Sequence, residues 1–287
     1  MSFILENEFV RLECSEKGGE IQSFYDLEKN KELMYQGNQG WSGKNPTLFP
    51  IIGNTATKEY TIHGEKYAMK NHGLIRYATL NGQQNKDSIV FILDANEETL
   101  KQYPFSFHYE IKYSLVGRQL KIEYHIQNTS QEDMPYTFGL HPAFIVPQNN
   151  NEKFEDYSID FEVKEQAKQL LFDPSFEKKV EYKDVSFDTW KCSRDDIKKY
   201  ATIIYKDLKS KYVTLSCKGE PRVRMSIDGF PYLALWTIDV PSDFICIEPW
   251  FGHADFEYGH DDFYTREGTM ILKPQEVFET SYTIEAL

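Results

Sequence analysis

Between Phe107 and Ile126 the chain alternates apolar and polar residues with a period of two, twice over. Phe107, Tyr109, Ile111, Tyr113 and Leu115 share one side, and His108, Glu110, Lys112 and Ser114 the other. Gly117-Arg118 turns the chain, and Leu120, Ile122, Tyr124 and Ile126 repeat the pattern on the return. Side chains alternate faces only in a strand, so this stretch predicts a hairpin with one buried and one wetter face. Such a pattern belongs to an antiparallel sheet packed on one side.

Shorter alternations recur at 10–14, 88–93, 222–227 and 278–284, and a second hairpin is expected at 59–69 with His63-Gly64 at its turn. Helical periods are weak, the best lying at 97–102 and 194–200. With 19 Tyr and 20 Phe, residues that suit a pleated surface, the chain reads as a large antiparallel β-sandwich of many strands. Its 287 residues are read as a single domain, because β-sandwiches of this size are common as one unit, and the polar stretch 148–153 as a solvated loop. At 40% hydrophobic and 27% charged residues, the composition suits a globular chain with a sizeable core.

Charge and punctuation exclude several functions. A formal net charge of −13, with no basic stripe, argues against nucleic acid as a partner. No apolar run approaches the ~20 residues of a membrane span, and residues 1–6 lack a basic-then-apolar leader, so no membrane partner and a cytoplasmic location are expected. The scattered Cys14, Cys192, Cys217 and Cys246 form no Cys-x-x-Cys pair and are read as reduced core thiols. Neither a phosphate-binding glycine loop nor a Gly-x-Ser-x-Gly elbow occurs. Oligomeric state is left open.

Four stretches combine Gly or Pro with reactive side chains in apolar surroundings: 45–54, 70–76, 138–144 and 246–252. His141 precedes Pro142, which holds it out of helix. Glu248 follows the apolar run 244–247 and precedes Pro249, where a carboxylate is costly unless it is paired or faces a cleft. Each residue also has a plainer reading. His141 fits a structural histidine, Arg76 a partner for some nearby acid, and Asn54 a residue tolerating left-handed backbone in a Gly-Asn turn. A rival set, His253, Asp255, Glu257 and His260 with Asp261 and Asp262, has metal-ligating residue types but no tight ligand spacing, so no metal is assigned.

Taken in this order and at these separations, the four stretches resemble the aldose 1-epimerase (galactose mutarotase) family, and more closely its bacterial galactose-mutarotase-related branch, which is also similar to the hexose-6-phosphate mutarotases. The resemblance covers nearly the whole chain, from Leu48-Phe49-Pro50-Ile51-Ile52-Gly53 through Asn71-His72-Gly73 and His141-Pro142 to Ile247-Glu248-Pro249-Trp250. It implies a sandwich of the galactose-mutarotase type with an open sugar cleft. By position it implies Glu248 as catalytic base, His141 as catalytic acid, and His72 and Arg76 as substrate-binding residues; Asn54 and Trp250, beside these motifs, are added as candidate substrate-binding residues. Two departures stand out. Asn54 occupies the place where many relatives carry Arg, and Ala201 falls where the family's sugar-binding aspartate is sought.

The implied reaction suits these residue types. Exchanging α and β anomers needs a proton removed from the C1 hydroxyl and another delivered to the ring oxygen, so one base and one acid suffice without a cofactor. Glu248, with an ordinary pKa of about 4.3, is expected to be ionised at neutral pH, and a histidine near 6.5 can donate. His72 and Arg76 would hold hydroxyls and polarise the opened carbonyl, while Trp41, Phe49 and Trp250 are candidates for the floor, with core packing expected for at least one of them. The expected function is therefore an aldose 1-epimerase acting on a small-molecule sugar. The alternatives are a hexose-6-phosphate mutarotase, a non-catalytic sugar-binding protein on the same scaffold, or a glycosidase pairing Glu248 with Asp243 or Asp255.

Overall fold

The computed structural model describes residues 2–38, 40–173, 175–176, 178–259 and 261–287. The expected hairpin is present as strands Phe107–Val116 and Gln119–Asn128, in register from Val116↔Gln119 to Phe107↔Asn128. Its inward residues, Tyr109, Ile111, Tyr113, Ile122 and Tyr124 among them, are buried as the period-two pattern requires. The smaller hairpin joins Glu59–Ile62 to Glu65–Ala68 through His63 and Gly64, both at positive φ as a tight two-residue turn demands. Short helices occupy Glu97–Leu100 and Arg194–Tyr200, each near an expected helical stretch. No helix among the described residues is long and apolar enough to cross a membrane.

Among the described residues the sheet that carries the architecture has fifteen antiparallel strands. Strand Tyr157–Leu171 is its hinge. The first part pairs with Tyr212–Cys217 and the last with Ile203–Lys206, while the pairing with Glu181–Lys191 shifts register between Asp160 and Glu165. The two halves of the sheet meet face to face through aromatic rings. Phe138 and Phe251 on one half contact Phe278 on the other at centroid distances of 5.5 and 5.2 Å, and Tyr124 meets Phe138 at 4.9 Å. A four-stranded sheet, from Ser2–Glu6 to Lys31–Glu32, lies beside this core. All four cysteines are buried as free thiols within the packed interior.

One row of this sheet positions the site. Strand Phe244–Phe251 lies between Tyr232–Trp236 on one side and Phe138–Leu140 with Ala143–Ile145 on the other. Its residues are buried almost throughout, so a polar side chain there must answer to a cleft or a partner.

Candidate functional site

The register across strand Phe244–Phe251 places the pair at the base of the site. Gly139 pairs with Trp250, and beyond a two-residue break Ala143 pairs with Cys246. The break holds His141 and Pro142, whose carbonyl accepts from Ile247 N–H at 3.1 Å, so the alignment carries through and sets His141 directly opposite Glu248. Facing cross-strand residues have Cβ atoms about 5 Å apart. Here the side chains meet, with His141 Nε2 3.4 Å from Glu248 Oε2. On the other flank Glu248 pairs with Ala234, whose small side chain leaves the space above the carboxyl open.

That space is a cleft of about 650 Å³, within the usual range for small-molecule sites. Glu248, His141, His72, Arg76, Asn54 and Trp250 all line it. The four sequence stretches, nearly two hundred residues apart at their extremes, thus converge on one cavity.

His72 sits on a turn bound tightly to the segment before it. Its backbone N–H donates to Gly53 O at 2.8 Å, and Gly53 N–H donates to His72 Nδ1 at 3.0 Å. A backbone amide cannot accept, so Nδ1 is bare and the ring proton is on Nε2, available as a donor. Enclosure and the Arg76 charge lower the His72 pKa to about 3, so the ring is neutral at physiological pH. The turn requires Gly73. At φ +80° its Cα approaches so closely that a Cβ would stand 2.2 Å from Phe49 O. Asn54 does not adopt the left-handed backbone that its turn suggested. Gly53 does, at φ +63°, leaving the exposed Asn54 side chain at the cleft edge.

His141 is gripped by aromatics: Trp41 stacks on it at 4.7 Å, and Trp236 and His72 meet it edge-on at 5.5 and 5.3 Å. Burial, with lesser contributions from His72 and Arg76, drives its pKa well below the usual imidazole value. Burial likewise pushes Glu248 well above the usual carboxylate range, although the Trp250 N–H and Arg76 favour the anion. This runs against the expectation of a glutamate at its ordinary pKa: burial disfavours the charged form of both partners. His141 Nδ1, Glu248 Oε2 and Trp250 Nε1 are buried without a hydrogen-bond partner of good geometry. Each such atom costs about 1–3 kcal/mol, and a cluster of three marks a place built to receive polar groups.

Other expectations divide. Arg76 pairs with no acid among the described residues and lies near the Tyr77 ring, 5.2 Å from its centre. Among the residues lining the cleft Arg76 is the cation. Of the three aromatic floor candidates, Trp41 and Trp250 line the cavity, whereas Phe49 is fully buried against Phe107 and Tyr103 in the main core. Gly139 makes room for Trp250, since a Cβ there would lie 2.7 Å from the indole.

Ala201 is exposed and off the cleft, while its neighbour Thr202 lines it. Asp173, which sequence reasoning missed, supplies an acid at the wall. Hydrogen bonds from Ser175 N–H and Oγ–H hold its carboxylate below the usual range. The Asp173-Pro174 dipeptide was a turn signal, although Pro174 lies outside the described residues.

The rival acidic cluster is engaged within the protein. Asp255 accepts from Arg266 at 2.8 Å and from Ala56 N–H at 2.9 Å, and His253 Nδ1 donates to Ala254 O at 2.7 Å. His260 lies outside the described residues. Asp243 borders a separate hollow beside Ser242 and Arg194, away from Glu248.

Comparison with known proteins agrees with this architecture. The family model described as aldose 1-epimerase matches residues 1–259. The LacX proteins of Lactococcus lactis subsp. lactis, plasmid and chromosomal, are 30% identical along the whole of both chains. A galactose mutarotase related enzyme from Lactobacillus acidophilus is 28% identical, with a TM-score of 0.91 over 100% of this chain and 97% of that one. A galactose mutarotase-like protein from Lactobacillus casei ATCC 334 shares the fold at a TM-score of 0.93, covering both chains completely at 24% identity.

Proposed function

Because the chain belongs to the aldose 1-epimerase family, we propose that it is a cofactor-independent mutarotase interconverting the α and β anomers of free aldoses. The observation that carries this reading is the Glu248–His141 pair, 3.4 Å apart at the base of a sugar-sized cleft with hydrogen-bonding atoms left open. The whole chain acts as one unit in this reading, since residues from its first quarter to its last line the same cavity.

The pair holds one mobile proton. Its transfer from Glu248 to His141 yields a carboxylate and an imidazolium without changing the net charge, which makes the step tolerable in a buried site. Glu248 then takes the proton of the C1 hydroxyl while His141 delivers one to the ring oxygen. The C1–O5 bond breaks, and the C1 carbonyl forms. Rotation about C1–C2 and reclosure, with both proton transfers reversed, gives the other anomer and restores the pair. Proton transfer by positioned groups contributes about 10²–10⁴-fold. His72 Nε2–H and Arg76 are donors for sugar hydroxyls and the carbonyl oxygen, Asp173 and Asn54 engage hydroxyls at the rim, and Trp250 with Trp41 offers apolar faces to the ring.

Free sugars are favoured over 6-phosphorylated ones because Arg76 is the cation at the cleft, with Asn54 beside it where a second cation would make a clamp. The test is NMR saturation transfer between anomer signals of glucose, galactose and their 6-phosphates. Faster exchange with the free sugars is expected. Binding without exchange in every case would leave a sugar-binding protein instead.

A further inference from the structure

The proton pair has a third neighbour that the proposed reaction does not use. Cys246 lies two residues before Glu248 on the same strand, hence on the same face, and opposite Ala143 just as Glu248 is opposite His141. An imidazole nitrogen of His141, Cys246 Sγ and a carboxylate oxygen of Glu248 all lie within 4.8 Å of one another. Cys246 is fully buried, His141 is 5% exposed and Glu248 1%. His141 and Glu248 open onto the cleft, and each retains a buried polar atom without a hydrogen-bond partner.

We propose that His141, Cys246 and Glu248 form a three-ligand site for zinc(II) at the base of the cleft, with the fourth position open to the cavity. Bonds of about 2.0–2.3 Å in a tetrahedron set donor atoms roughly 3.3–3.8 Å apart. The His141–Glu248 separation of 3.4 Å already fits, and the widest separation needs to close by about 1 Å. Nitrogen, thiolate and carboxylate together favour zinc over magnesium or calcium, which take all-oxygen sites. The charge also balances. Zinc(II) displaces the thiol proton and the carboxyl proton, the imidazole binds in its neutral form, and the complex is uncharged in a place that resists charge. A bound ion would stand between the proposed acid and base and exclude sugar, making zinc a competitive blocker.

Cobalt(II) provides the test, because a thiolate ligand gives a charge-transfer band in the near ultraviolet and a tetrahedral site gives intense visible bands. Titration of the full chain should produce both with one ion per chain, and zinc should abolish them. Cys246→Ser should remove the charge-transfer band, with circular dichroism confirming the fold and Cys246→Ala replacing it if the serine variant unfolds. Glu248→Gln, isosteric with the carboxyl, should weaken cobalt binding at least tenfold. Absence of the charge-transfer band from the wild-type chain, or its persistence in a folded Cys246 variant, overturns the site. The readout involves no sugar, so it stands apart from the fate of the mutarotase reading.

Discussion

Replacing Gly73 with Ala tests the link between backbone geometry and the site. Alanine at φ +80° costs about 1–2 kcal/mol in backbone strain. Its Cβ would lie 2.2 Å from Phe49 O, where 3.4 Å is the onset of ordinary contact, so the two segments must part by roughly 1.2 Å. That displacement falls on Leu74 N–H→Phe49 O at 2.7 Å, His72 N–H→Gly53 O at 2.8 Å and Gly53 N–H→His72 Nδ1 at 3.0 Å. At about 0.5–1.5 kcal/mol each, these bonds bring the loss to about 3–6 kcal/mol. At about 2–4 °C per kcal/mol, the melting temperature falls by roughly 6–24 °C. Differential scanning calorimetry measures the shift, and titration calorimetry with sugar reports the displaced His72. Gly64→Ala is the control: φ is +83°, but nothing lies within 4 Å of the added Cβ, so only the strain term remains and sugar affinity is unchanged. Equal melting temperatures for the two variants, with unaltered sugar affinity in Gly73→Ala, would refute the reasoning.

Three further outcomes are expected. His72 should keep the Nε2–H tautomer down to acidic pH and titrate near 3; long-range ¹H–¹⁵N spectra showing a transition near 6.5 would remove its role as a neutral donor. The pH–rate profile should be a broad plateau, because the active pair holds one proton. The second is gained only below the ordinary imidazole range, where His141 is depressed, and the last is lost only above the ordinary carboxylate range, where Glu248 is raised. A half-maximal rate at pH 6.5 on the acid side would contradict the burial-driven shift of His141. Gly139→Val should lower sugar affinity at least tenfold by displacing Trp250, and calorimetry showing wild-type affinity would deny that indole a place in the cleft.

The sandwich was legible because strands announce themselves locally. The run 107–126 needs only its own alternation to become a hairpin, and tertiary packing then confirms which face is buried. The convergence of His72, His141 and Glu248 was legible only as a resemblance, since the register that sets His141 opposite Glu248 depends on two strands a hundred residues apart. The walls were less visible for the same reason. Trp236, Thr202 and Asp173 reach the cavity through sheet order, which no local pattern encodes. Which of the three aromatics fills the core was not legible, because a large aromatic beside a motif looks the same in sequence whether it floors a cleft or, like Phe49, packs inside. The direction in which burial shifts the pair was not legible because reference pKa values describe groups in water, and these two are enclosed.

Polarimetry of freshly dissolved α-D-glucose and α-D-galactose with the wild-type chain and Glu248→Gln, alongside calorimetric sugar affinity, bears most directly on whether this pair moves protons at an anomeric centre. Wild-type protein should speed the decay of rotation, and the glutamine variant should lose about 10²–10⁴-fold of that acceleration while binding sugar with near-normal affinity. Identical decay with the two proteins would contradict it.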